Sequence, residues 1–145
     1  MGSSIEGVDN LMNRLNALDN LFQSGAIERA VQRGCMTVQA EAKLLCPVDT
    51  GELRNSIMTK VEASGDRVIG KVYTNKEYAP YVEFGTGSRG EASYDGPVDV
   101  SYNMQWAGHP AQPYLYPALK NNEEIVVSNI KRDIANEIRS VIGNA

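Results

Sequence analysis

The chain has 145 residues, a length that predicts a single domain, residues 1–145, with a sizeable core. Apolar residues make up 42% of the chain and charged residues 22%, values typical of globular proteins that exclude an intrinsically disordered chain. The net charge is −4, and no run of Lys or Arg could neutralise a series of phosphates. We therefore expect no sequence-specific binding of nucleic acid.

Membrane contact is not expected either. The first twenty residues interleave apolar side chains with Asn, Asp and Arg, unlike the uninterrupted apolar segment of a signal peptide. No stretch approaches the ~18 apolar residues needed to cross a bilayer. The sequence predicts a soluble protein that is made in the cytoplasm.

Residues 1–23 are predicted to form an amphipathic helix. Ser3 or Ser4 is a candidate cap, and the apolar residues that follow share one stripe at helical spacing. These residues are Ile5, Val8, Leu11, Met12, Leu15, Leu18 and Phe22. Ser24-Gly25 interrupts the pattern, and a second helix is predicted from about Ala26 to Cys46.

The two cysteines, Cys35 and Cys46, lie on this second predicted helix. Their separation along the helix is ~16 Å at 1.5 Å per residue, whereas a disulfide tolerates at most ~7 Å between Cα atoms. We expect both to be reduced thiols that fill small spaces in the core.

The middle of the chain changes to strands and turns. Residues 56–74 are rich in β-branched side chains around Ser64-Gly65-Asp66, which predicts a hairpin. One or two helical turns are predicted over Tyr78–Phe84. Residues 88–108 are polar and rich in glycine, and are interpreted as a protruding loop or arm. Its second half, Val98–Trp106, is a candidate strand.

From Leu115 onward apolar residues recur mostly every fourth position, which predicts a long C-terminal helix. Taken together, the elements predict an α+β fold. Its antiparallel sheet consists of the hairpin and the candidate loop strand, and two or three helices pack on it.

No catalytic, cofactor or metal site is predicted. His109 is the only histidine, and it lies in the loop Gly108-His109-Pro110. The chain has no Cys-x-x-Cys pair, no His-Glu-x-x-His helix and no phosphate-binding Gly-x-x-x-x-Gly-Lys loop. A small hydrolase that uses His109 with Asp95 or Asp99 stays open as a distant alternative.

Aromatic residues are concentrated in the middle of the chain. Tyr and Trp suit positions where one end of a side chain is wet and the other buried, as at interfaces and on sheet faces. Contact with another subunit or partner is predicted for Tyr94, Tyr102, Trp106, Tyr116 and Glu83.

Three segments carry the most information about function: Pro47–Ile57, Tyr78–Gly87 and Gln112–Leu119. Each is explained locally by turn chemistry. Pro47 lacks an amide hydrogen and ends the preceding helix, while Asp49 or Thr50 can accept hydrogen bonds from the free amides of a new helical turn.

In this order and spacing the three segments resemble the neck and tail-component family of long-tailed bacteriophages, of the type first described in phage Hong Kong ninety-seven. The resemblance runs from about Ala40 to Asn121. The residues that match its motifs are Pro47, Asp49, Thr50, Gly51, Leu53, Arg54, Tyr81, Glu83, Phe84, Gly85, Thr86, Pro113, Pro117, Ala118 and Leu119.

The resemblance implies a virion structural protein, not an enzyme, that lies at the head–tail junction and joins connector and tail. It implies a ring of copies of this chain, with phage connector, head-completion and tail proteins as partners and DNA passing through the ring. A tail terminator or tail-completion protein is the nearer alternative. Two interpretations of Glu83 also stay open: it solvates a helix end or pairs with Arg54, or it holds the motif segments together near a subunit boundary.

Overall fold

The computed structural model describes residues 3–49 and 51–143, with side chains from residue 7 onward. Thr50 and the side chains of Ser3, Ser4 and Ile5, which figure in the predicted caps and apolar stripe, lie outside the described residues. Within the described part the chain has six helices and one two-stranded antiparallel sheet. The predicted α+β class is confirmed.

The elements follow one another in the predicted order. They are α1 Ser3–Gln23, α2 Ala26–Leu45, α3 Glu52–Asn55, β1 Met58–Ser64, β2 Arg67–Tyr73, α4 Ala79–Phe84, α5 Gly87–Ser93 and α6 Leu115–Gly143. Gly65, at the first position of the two-residue turn between β1 and β2, has φ 59°. A tight hairpin turn of this kind requires such a residue, and the predicted hairpin is confirmed. None of the described helices is both long enough and apolar enough to span a bilayer.

The predicted strand over Val98–Trp106 is wrong. Residues 94–114 have no strand, and the only pairing near them is a single antiparallel bridge between Thr86 and His109. Asn103 accounts for the difference, because its side-chain oxygen accepts the amide of Gln105 and its carbonyl accepts that of Trp106. Such local hydrogen bonds compete with a strand ladder.

The loop after α5 is bonded to the first turn of α5. The amides of Ser88 and Arg89 donate to the carbonyls of Trp106 and Ala107. Residues 88–108 thus include a short helix and a loop that runs back along it. Their use as an assembly arm stays a prediction.

The described residues form two compact units. The first contains α1, the start of α2 to Gly34, the hairpin tip Val61–Gly70 and α6 from Ile125 onward. The second contains the remainder of the chain, Cys35–Lys60 and Lys71–Glu124. Helices α2 and α6 and the hairpin contribute to both units, and a single domain stays a prediction.

The first unit is held by close helix packing. Leu21, Ala26 and Ala30 are buried, and a methyl group added at Gly34 would lie 2.8 Å from Cγ1 of Val126 and 3.2 Å from Cδ1 of Ile130. Glycine therefore lets α2 approach α6 here. The ion pair between Arg33 and Asp133, at 3.0 Å, is largely exposed on the Arg33 side and adds little.

The second unit has a core of small residues with a few large ones. Its buried apolar residues are Cys35, Val38, Ala42, Cys46, Leu53, Ile57, Ala79, Tyr114 and Ala118. Both cysteines are free and buried, as predicted. Burial raises the pKa of both the Cys35 and the Cys46 thiols, which keeps them protonated and unreactive.

We expect Ile130→Asp to destabilise the protein by about 3 kcal/mol or more, because a carboxylate would replace the side chain that packs on Gly34. The neighbouring Lys131→Ala is the control, since Lys131 is exposed and its truncation should change the free energy of unfolding by less than ~0.5 kcal/mol. Urea unfolding followed by circular dichroism measures both. Equal effects would show that this face of α6 is not the packed one.

Candidate functional site

The three motif segments lie in the second unit, and α4 is at their centre. Pro80 lies in the first turn of this six-residue helix, where its missing amide costs nothing. The helix ends at Gly85 with φ 73° and ψ −177°, a conformation that essentially only glycine adopts. A methyl group at Gly85 would lie within 3 Å of backbone atoms of Ala111, Gly90 and His109. The motif glycine thus lets three stretches of backbone meet.

Glu83, on α4, is the only buried charged residue among those described, with 5% of its surface exposed. Its Oε2 accepts hydrogen bonds from the amides of Tyr114 and Leu115, at 2.8 and 3.0 Å. Its Oε1 accepts the amide of Tyr116 at 2.9 Å. One carboxylate on the second motif segment therefore binds three successive amides of the third.

These three amides are the ones that need a partner. The first four amides of a helix have no acceptor inside it, and in α6 they belong to Tyr114, Leu115, Tyr116 and residue 117. Glu83 takes the first three, and residue 117 is proline, which has no amide hydrogen. The N-terminus of α6 is thereby fully satisfied, and a negative charge lies at the positive end of a 29-residue helix.

Of the two interpretations of Glu83, the structure supports the one in which it joins motif segments. Among the described residues no ion pair links Glu83 to Arg54, which is exposed. The carboxylate instead accepts hydrogen bonds from backbone amides of the same chain. It would affect a partner only through the segments that it positions.

Further hydrogen bonds join the same segments. The amide of Gln112 donates to the carbonyl of Val82 at 2.8 Å, and Thr86 and His109 exchange two backbone hydrogen bonds at 2.9 and 3.0 Å. The Tyr102 hydroxyl donates to the carbonyl of Phe84 at 2.8 Å. The ring of Tyr94 meets Phe84 edge to face, with centroids 5.2 Å apart.

The first motif segment turns tightly after α2. The N-cap of α3 is Gly51, with φ 82° and no side-chain cap. Of the two predicted caps, Asp49 is wrong, because a glycine in the left-handed region makes the turn itself, and Thr50 lies outside the described residues. Leu53 and Ile57 are buried, and the carbonyl of Ile57 accepts Nε2 of Gln39 at 2.8 Å.

Two grooves flank this framework. The first joins the first and second motif segments, and it is lined by Pro47, Val48, Asp49, Gly51, Leu53, Tyr78 and Val82. The second lies between α4 and the following loop. Its lining includes Pro80, Tyr81, Phe84, Tyr102 and Trp106. Four aromatic side chains thus line the second groove, which we call the aromatic groove.

The predicted interface residues divide into two groups. Trp106 and Tyr116 are 52% and 40% exposed, so both are accessible to a partner. Tyr94 and Tyr102 are half-buried and support the loop through Phe84. Sequence reasoning missed Tyr81 as a surface residue: it is 63% exposed and lines the aromatic groove beside Trp106.

Tyr114 is fully buried, and its hydroxyl has no hydrogen-bond partner among the described residues. Burial raises the pKa of this hydroxyl, and Cys46, Glu83 and Tyr78 raise it further. The ring therefore serves as packing under the start of α6, with a polar atom that the core does not satisfy.

Among the described residues no hydrogen bond or ion pair joins His109 to Asp95 or Asp99, the residues of the hydrolase alternative. The ring of His109 contacts Trp106 edge to face, with centroids 6.1 Å apart, and Asp95 and Asp99 are exposed on the loop. Within the described residues no three His, Cys, Asp or Glu side chains are placed to share a metal ion.

The fold is that of a small α+β protein in which a buried carboxylate, Glu83, joins the second motif segment to the third. A family model described as "Bacteriophage HK97-gp10, putative tail-component" matches residues 9–85, more than half of the chain. The chain belongs to this HK97 gp10-like family, and the predicted resemblance is confirmed. The match includes the first motif segment and most of the second, but not Gln112–Leu119. Comparisons with curated proteins and with solved structures gave no match.

We expect Glu83→Ala to destabilise the protein by about 3–5 kcal/mol, since one buried and two part-buried amides would lose their acceptor. Glu83→Gln should cost about 1–2 kcal/mol, because its single oxygen can still accept while its amide group opposes another donor. The control is Glu77→Gln at an exposed position, with no expected change. Equal urea midpoints for the three variants would rule out the capping role.

Two Tyr→Phe substitutions should affect the free energy of unfolding differently. Tyr102→Phe removes a hydrogen bond to Phe84 and should cost about 1 kcal/mol. Tyr114→Phe removes an unsatisfied buried hydroxyl, and should leave stability unchanged or raise it by up to ~1 kcal/mol. Denaturant midpoints measured side by side test the pair, and a clear loss with Tyr114→Phe would show that its hydroxyl has a partner.

Proposed function

We propose that this chain is a neck protein of a tailed-phage virion, which lies at the head–tail junction and joins the connector to the tail. Membership of a phage tail-component family is established and indicates a structural role in the tail or neck of a phage. The proposal adds three points. The protein lies at the head–tail junction, it forms a ring of copies of itself, and its partners are connector, head-completion and tail proteins. The proposal includes a purely structural role without catalysis or cofactor.

The observation that carries this proposal is the Glu83 framework. A buried carboxylate, a glycine that only fits unsubstituted and several backbone hydrogen bonds hold the motif segments in one arrangement. What that arrangement presents is an aromatic groove with Tyr81 and Trp106 at its surface, and such residues dominate binding energy at protein interfaces.

A ring imposes a geometric requirement on each copy. Head-to-tail contact around a rotation axis closes only if every copy carries two different complementary surfaces. The aromatic groove is one candidate, and α1 is the other. The net charge of −4 suits a ring through which DNA slides, because an acidic surface does not hold phosphates.

A tail terminator or tail-completion protein would use the same fold and the same kind of surface. Contacts distinguish these roles. A neck protein touches connector and tail proteins, whereas a terminator caps the tail tube. Cross-linking in assembled virions, with the cross-linked peptides identified by mass spectrometry, separates the two.

We expect the double variant Tyr81→Ala/Trp106→Ala to fold but to be lost from phage particles, because both side chains are at least half exposed in the isolated chain. The assay is complementation of a phage that lacks the gene, with the protein measured in purified particles and the thermal midpoint measured on the free protein. Met104→Ala, at a 58% exposed position of the same loop, is the matched control. Normal incorporation of the double variant would exclude this groove as the contact surface.

A further inference from the structure

The N-terminal part of α1 has little cover from the rest of the chain, as far as its side chains are described. All ten residues from Gly7 to Asn16 are exposed, so no face of the helix is covered there. Only near its end does α1 join the first unit, where Leu21 is buried and Ala17 and Leu18 are half-buried.

Such a helix needs outside support. The ten residues include Gly7, Asp9, Asn10, Asn13 and Asn16, which are among the weaker helix formers. Isolated helices shorter than ~12–15 residues are marginal in water even when their composition is favourable, and most helices draw their stability from packing. A stable α1 therefore requires a partner for its apolar side.

The apolar side of α1 has the spacing of a coiled-coil seam. Val8, Leu11, Leu15, Leu18 and Phe22 are separated by three, four, three and four residues, the alternation of core positions in a heptad repeat. The first three and Phe22 are 49–58% exposed. The opposite face is polar, with Asp9, Asn10, Asn13, Asn16 and Asn20.

The charged residues beside the apolar seam indicate that the partner of α1 is α1 of a second copy. Arg14 precedes the core position of Leu15, and Asp19 follows that of Leu18, so they occupy the two flanking positions of the repeat. In a parallel, in-register pair of identical helices, the residue just before a core position such as Leu15 faces the partner helix. The residue that it faces there has a number higher by five. Arg14 of each copy then meets Asp19 of the other. An antiparallel pair would not bring these charges together.

We propose that α1 is a self-association element, which pairs in parallel with α1 of a second copy through Val8, Leu11, Leu15, Leu18 and Phe22. Arg14–Asp19 contacts between copies set its direction and register. This inference rests on the proposed self-assembly and names the surface that it uses. Such a pair has two-fold symmetry and joins two copies, so the closure of a larger ring would need a further contact through another surface.

Charge reversal tests the pairing in the full-length chain. Arg14→Asp and Asp19→Arg should each weaken self-association about tenfold, since two pairs per contact change from attractive to repulsive. The double variant Arg14→Asp/Asp19→Arg should restore the wild-type constant. Within one helix these residues are five apart and do not face each other, so rescue reports on contact between copies. Asn13→Asp, on the polar face, is the control.

Sedimentation velocity over a concentration series measures the association constants. A second measurement is oxidative cross-linking: Leu11→Cys on the seam should form a disulfide between chains, and Asn13→Cys should not. The native thiols are buried, and the wild-type chain gives the background. Wild-type monomer throughout with no cross-link at residue 11, or a double variant that is not rescued, would overturn the inference.

The same variants separate this inference from the proposed function when their entry into phage particles is measured. If charge reversal leaves the association constant unchanged and the variants still enter particles, α1 pairing is refuted and the virion role stays intact. If the chains associate through α1 but never enter particles, the proposed virion role is refuted and α1 pairing stays intact.

Discussion

The arrangement of the motif segments depends on one buried carboxylate. Removing Glu83 from water costs several kcal/mol, and three amide hydrogen bonds to a charged acceptor return about 1.5–3 kcal/mol each. The net gain is therefore modest. The cost of separating the partners is large, because a buried charge, one buried amide and two part-buried amides would all be left unpaired. Glu83 thus acts mainly by fixing the position at which α6 begins relative to α4.

The other features of the second unit follow from that fixed position. Since Tyr114–Tyr116 must reach Glu83, the loop that leads to them has to pass close to the end of α4, and only a glycine at residue 85 leaves room for it. Backbone bonds between Thr86 and His109 and between Val82 and Gln112 then secure the loop. The aromatic groove lies along this crossing, so its shape depends on the same carboxylate.

Periodic patterns were enough to predict α1, α2, the hairpin and α6, because each carries an apolar stripe at helical spacing or contains a turn that the local sequence specifies. The strand over Val98–Trp106 failed because Asn103 accepts the amides of Gln105 and Trp106 in local bonds that compete with a ladder. The Asp49 cap failed because Gly51 makes the turn with its backbone. Both errors arose where short polar or flexible residues compete with regular structure.

The partner of Glu83 could not be read from spacing, since the amides lie 31 to 33 residues further along the chain. One signal did exist. Pro117 in a first turn indicates that a helix begins just before it, yet Tyr114 at the cap position offers no side-chain acceptor for free amides. A helix that begins this way must obtain its cap from elsewhere in the fold. A carboxylate in an otherwise apolar turn such as Tyr81–Phe84 is a natural source.

The two proposed contact surfaces differ in chemistry, and this bears on the order of assembly. The α1 seam is aliphatic and covers only about two heptads, so pairing between free chains should be weak. The aromatic groove is held rigid by the framework and loses little freedom on binding. Chains gathered by the groove on a growing particle would present their α1 helices to one another at high effective concentration. Pairing of α1 would then follow docking, which disfavours self-assembly away from the particle.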